Sequence, residues 1–225
     1  MTPLNVANAV LWIALIAVLL FVPAGTASWP QAWIYLIEFV AIGAAITVWL
    51  ARHDPGLLRE RMGGAFQKGQ SLADRIFMSV MMLSWYGWIA LMALDAKRWA
   101  FSHMPPAFNV LGAILIPLGF LFVWRVFREN SFAAPVVRIQ AERGQHVVDT
   151  GPYAIVRHPM YSGSVVYLLG TPLLLGSWIG LAVLPLIVGA LVVRIFIEEA
   201  ALRRGIPNYD AYMRRVRFRL VPGVW

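Results

Sequence analysis

The chain contains no cysteine. A structural disulfide, a thiolate metal site and a cysteine nucleophile are therefore excluded. Histidine is scarce: His53, His103, His146 and His158 are the four. They show neither H-x-x-x-H nor H-E-x-x-H spacing, so no zinc or other metal site is expected. There is no G-x-G, hence no dinucleotide fingerprint, and no G-x-x-x-x-G-K-[ST], hence no P-loop. A soluble Rossmann-type methyltransferase or dehydrogenase domain is absent. Charge is sparse too, at 13% of 225 residues, and acids are outnumbered 11 to 19 by Lys and Arg.

What remains is apolar. The composition is 60% hydrophobic and the mean hydropathy is +0.69, whereas soluble domains run at about 45–50% apolar. A membrane helix needs roughly 20 apolar residues. Candidate spans are 4–21, 30–51, 75–94 and 108–127. A further block, 160–197, is about twice one span and carries Gly176-Ser177-Trp178 near its middle, which reads as a hairpin of two spans. The expected fold is all-α, a polytopic membrane bundle of about six helices. The first run has no Lys or Arg before it and reads as a retained helix, not a cleaved signal. Residues 1–127 form the four-helix part and 128–225 a loop, hairpin and tail, in one integrated domain.

Charge gives orientation. The segments 52–75 and 125–157 and the chain from Arg194 onward hold 17 of the 19 Lys and Arg. An even number of spans puts all three on one side, so both termini are expected in the cytoplasm, in the inner membrane of a bacterium. The net charge of +8 is explained by basic loops facing anionic lipid, without nucleic acid. Trp29, Trp33, Trp85, Trp88, Trp99 and Trp178 lie near span ends, as interface anchors do. In the tail, Tyr209, Tyr212, Met213 and Val216 fall at i, i+3, i+4 and i+7 among arginines. That is an amphipathic segment, either on the membrane surface or capping a site.

Two clusters carry chemistry. Gly151-Pro-Tyr-Ala-Ile-Val-Arg-His-Pro-Met-Tyr-Ser-Gly163 crowds Tyr153, Arg157, His158 and Tyr161 beside a span, where polar groups are costly to keep. Pro159 suits the first turn of a helix, and that helix end offers N–H groups to an anion. On spacing alone, a plain helix start with a snorkelling Arg157 is the simpler reading. The second cluster is Arg194-Ile-Phe-Ile-Glu198-Glu199. Arg194 and Glu198 share a helix face and are close enough to pair. A hairpin brings 160 and 197 to the same membrane face, and the two clusters with them. Glu38, inside the second span, reads as a helix-packing acid or part of an ion path.

These residues resemble the integral-membrane methyltransferases of the isoprenylcysteine carboxyl methyltransferase type, with phospholipid methyltransferases as relatives. The resemblance rests on Gly151-Pro-Tyr153, Arg157-His-Pro-Met-Tyr161-x-Gly163 and Arg194-x-x-x-Glu198-Glu199-x-x-Leu202, followed by Gly205, Tyr209, Tyr212 and Pro222. It covers about 130–222; the first four spans match only in being hydrophobic. It implies S-adenosyl-L-methionine as methyl donor, bound by Gln140, His146, Val147, Val148, Tyr153, His158, Pro159, Met160, Tyr161 and Glu198. It assigns Arg194 to the acceptor and leaves His158 as donor ligand or base. The implied partners are a lipophilic small-molecule or lipid acceptor and the membrane lipids, and nothing in the sequence sets the oligomeric state. Two other readings stay open: an NADPH-dependent membrane reductase of sterol-reductase type, which shares an Arg-His-Pro-x-Tyr segment, and a non-enzymatic membrane protein.

Overall fold

The computed structural model describes residues 3–64, 70 and 72–225, the side chains of 3–6 and 73 aside. Lys68, one of the basic residues counted in the segment 52–75, lies outside the described residues. Every regular element among the described residues is helical: α1 Pro3–Ala24, α2 Pro30–His53, α3 Pro55–Met62, α4 Leu72–Ala93, α5 Pro106–Glu129, α6 Pro159–Leu175, α7 Trp178–Gly205 and α8 Tyr209–Arg215. A π turn, Leu94–Arg98, extends α4.

Proline sets most of the starts. Pro3, Pro30, Pro55, Pro106 and Pro159 each stand first in a helix, where the missing N–H would lack a partner anyway. Asp54 caps α3 by accepting the Leu57 amide at 2.8 Å. Gly176 breaks the hairpin between α6 and α7. It takes φ +78°, a left-handed conformation that suits glycine at a helix end.

Five helices, α1, α2, α4 with its π turn, α5 and α7, are long and apolar enough to cross a membrane. The expected sixth is shorter: α6 has 17 residues, about 25 Å of helix. Its partner α7 has 28. The hairpin is therefore unequal. α1 leaves Val10, Leu11, Val18 and Val22 more than half exposed, which suits hydrocarbon and not water.

The chain packs as two compact units, each drawing on both sides of position 127. Unit 1 comprises Met1–Ile46, Met81–Leu118 and Val166–Ile187. In it α5 and α6 touch at Gly112 and Gly170. A Cβ on Gly112 would stand 2.2 Å from the Leu174 amide nitrogen, a backbone approach only a small residue allows. Trp88 Nε1 donates to the Gly180 carbonyl at 2.8 Å. Asp95, fully buried, accepts from Ser102 Oγ at 2.6 Å, Ser177 Oγ at 2.5 Å and the Ile179 amide at 3.3 Å. It thereby satisfies donors that the start of α7 would otherwise leave open.

Unit 2 comprises Thr47–Val80, Gly119–Val165 and Val188–Trp225. Gly163 of α6 lies against the Gly119 carbonyl of α5, where a Cβ would come within 2.9 Å. The loop after α5 holds two 3-10 turns, Ala141–Arg143 and Gly151–Ala154. The tail does not lie on the surface with its apolar face in lipid. Tyr209, Tyr212 and Val216 are buried with Ile206 in a core of their own, joined by Ile139, Val147, Leu202 and Met213. Of the two expectations for this segment, the capping one describes its packing.

Candidate active site

The site is built inside unit 2. α6 begins at Pro159, so His158 and Tyr161 are fixed at its first turn. The amides of Tyr161 and Ser162 both bond to the His158 carbonyl, at 3.0 and 3.2 Å, and the His158 amide bonds to the Arg219 carbonyl at 2.9 Å. The helix end offered in sequence as an anion cradle thus has these donors already engaged.

Glu199 ties the tail to this turn. Its carboxylate takes Arg157 Nε at 2.7 Å, stands 3.2 Å from His158 Nε2, and takes Arg219 Nη2 at 3.1 Å. Arg157 also donates to the carbonyls of Val216 and Arg217, each at 2.8 Å. Arg157 and His158 are buried. A guanidinium taken out of water needs such pairing to be tolerable.

Beside it lies a second network. Tyr161 Oη donates to Glu198 Oε2 at 2.7 Å and accepts from Arg194 Nε at 3.0 Å. Arg194 does not pair with Glu198 as its i,i+4 spacing suggests. Its Nη1 stands 3.2 Å from Asp74 Oδ1, and Nη2 donates to the Pro135 carbonyl at 2.5 Å. The physical reason is Asp74 itself, 1% exposed: a carboxylate buried in α4 needs a buried cation, and Glu198 is served instead by the Tyr161 hydroxyl.

These groups meet at a cavity of about 90 Å³ that opens to solvent. His146, Val147, Val148, Tyr153, His158, Met160, Tyr161, Arg194 and Glu198 all line it. Gln140 and Pro159 are not in the lining. Gln140 is 1% exposed and works as a loop clasp: its Nε2 donates to the Phe132 carbonyl at 2.9 Å and its Oε1 accepts from Arg143 at 2.5 Å. Pro159 is the helix start. Asn130, Phe132, Ala133, Ala134 and residues 136–139 also line the cavity, though nothing in their residue types marks them. Asn130 Nδ2 donates to Tyr153 Oη at 2.8 Å, and Tyr212 Oη to the Tyr153 carbonyl at 2.8 Å. Burial pushes the Tyr153, Tyr209 and Tyr212 phenols well above their ordinary pKa, so they stay protonated at neutral pH.

Residues 107–206, from the start of α5 to just past the end of α7, match the family model of the phospholipid methyltransferases. The matched stretch, a little under half of the chain, is similar to the phospholipid methyltransferase family, which belongs with the isoprenylcysteine carboxyl methyltransferases to one superfamily of integral-membrane methyltransferases. No curated protein matches the chain. Tyr153, His158, Tyr161, Arg194 and Glu198 fall within the matched stretch. Asp74 and the tail beyond 206 fall outside it.

Proposed function

We propose that the chain is an S-adenosyl-L-methionine-dependent membrane methyltransferase that transfers a methyl group to a lipophilic acceptor entering from the bilayer. One observation carries this reading. A cavity lined mostly by the family-matched segment, with Tyr209 and Tyr212 of the tail, gathers aromatic rings near Glu198, a carboxylate with no cation at ion-pair distance among the described residues. That donor set fits a sulfonium, whose positive charge favours tyrosine faces and an uncompensated carboxylate. When bound, the donor supplies an electrophilic methyl carbon.

The residues divide the remaining work. Tyr153 and Tyr161 present ring faces to the sulfonium, with cation–π contacts worth about 0.5–2 kcal/mol each. Glu198 balances its charge. His146, Val147, Val148 and Met160 wall the donor. His158, stacked on Tyr161 with ring centroids 5.8 Å apart and held by Glu199, fits a donor-binding role better than that of a free base. Arg194 and Tyr161 position the acceptor. Holding the two reactants aligned is the main catalytic resource here, worth up to about 7–11 kcal/mol. Unit 2, which contains the cavity, holds 17 of the 19 Lys and Arg. By the positive-inside bias its loops and the C-terminus face the cytoplasm, where the donor is dissolved.

The test is calorimetric titration of the detergent-purified protein with S-adenosylhomocysteine and with NADPH. S-adenosylhomocysteine is expected to bind and NADPH is not; the opposite result replaces this reading with the reductase one.

A further inference from the structure

Three guanidinium groups line the cavity, and each already has a carboxylate. Arg138 stands 2.7 Å from Glu60, Arg157 stands 2.7 Å from Glu199, and Arg194 stands 3.2 Å from Asp74. The Asp74 pairing is itself anchored. Its second oxygen accepts Gln70 Nε2 at 2.6 Å and the Val137 amide at 3.3 Å. Arg194 spends further donors on Tyr161, Met78 and Pro135. A buried cation already compensated by a buried anion attracts a second anion weakly. An acceptor carboxylate at Arg194 would place three acids, with Asp74 and Glu198, around one guanidinium.

We propose that Asp74 is a specificity-determining residue: by neutralising Arg194 it makes the cavity select an uncharged lipophilic X–H acceptor, such as a thiol, phenol or alcohol, over a carboxylate. This rests on the methyl-transfer reading of the cavity. Asp74 lies outside the family-matched residues, so the match assigns it no role. The chemistry balances within the site. The acceptor atom forms its bond to the methyl carbon, the carbon–sulfur pair returns to sulfur, and the X–H proton passes to the Glu198 carboxylate. Glu198 offsets the sulfonium before transfer and holds the proton after it. A carboxylate acceptor releases no proton and leaves Glu198 without that second role.

The test compares two probes of equal chain length, dodecanoate and dodecan-1-ol, titrated into the full-length protein in detergent at a pH that keeps the acid ionised. The quantity read is the ratio of the two affinities, in which partition into detergent cancels between variants. Asp74→Asn keeps the shape and frees the charge of Arg194. It is expected to raise the dodecanoate-to-dodecanol ratio by about tenfold or more, the scale of one unmasked charge contact. Asp74→Glu is expected to restore the wild-type ratio, and Arg194→Gln, which leaves the Asp74 carboxylate without its cation, to lower it below that of the wild type. The proposal is overturned by an Asp74→Asn ratio equal to that of the wild type. It is equally overturned by a wild type that already prefers dodecanoate and loses the preference in Arg194→Gln. S-adenosylhomocysteine binding is measured on the same samples. Its absence removes the methyltransferase reading, whereas the probe ratio still reports on Asp74.

Discussion

At the scale of single residues, the two acids at the end of α7 do different work although they are adjacent. Glu199 is consumed by Arg157, His158 and Arg219, while Glu198 lines the cavity with only the Tyr161 hydroxyl bonded to it. Glu198→Ala is therefore expected to weaken S-adenosyl-L-methionine binding by about tenfold or more, the scale of a lost charge contact. Arg194→Ala is expected to spare donor binding and impair turnover. Equilibrium binding of labelled donor, set beside methyl release into lipid, separates the two; unchanged donor affinity in Glu198→Ala removes that carboxylate from the donor site. Both side chains were legible in the sequence because the helical period puts them on one face near the end of a span. Their partner was not. Asp74 meets Arg194 across 120 positions. Long-range ion pairs leave no periodic trace.

At the scale of elements, the helix starts were legible because proline marks them, and the break at Gly176 because one apolar block was too long for one span. The π turn at Leu94–Arg98, which holds Asp95 against the start of α7, was not, since no residue type announces it. Nor were the bonds of Gln140, which the resemblance implies as a donor ligand and whose side chain holds Phe132 and Arg143. Close helix contacts belong here as well. Gly112 has backbone atoms of α6 where a Cβ would stand, whereas Gly189 of α7 has nothing within 4 Å. Gly112→Ala is accordingly expected to destabilise the protein by about 1–3 kcal/mol, the usual cost of overpacking. Gly189→Ala is expected to leave stability unchanged or raise it by up to about 1 kcal/mol. Thermal unfolding in detergent reads both, and equal midpoints would show that the Gly112 contact gives way freely.

At the scale of the whole molecule, the distribution of charge decides which solution the cavity meets. Unit 2 carries 17 of the 19 Lys and Arg, and unit 1 only Lys97 and Arg98. Such a bias sets the insertion of membrane proteins in general. It also fits the chemistry proposed, because a charged, water-soluble donor reaches only a cavity that opens to the cytoplasm. The absence of cysteine turns this into a direct experiment, since any introduced thiol is the only one to react. Ser28 is exposed between α1 and α2, in a segment without Lys or Arg, and Ala211 is exposed on α8 among arginines. In intact spheroplasts a membrane-impermeant maleimide is expected to label Ser28→Cys at once and Ala211→Cys only after lysis. The reverse pattern would put the cavity on the side where no S-adenosyl-L-methionine is made, and the donor assignment would fall together with the orientation.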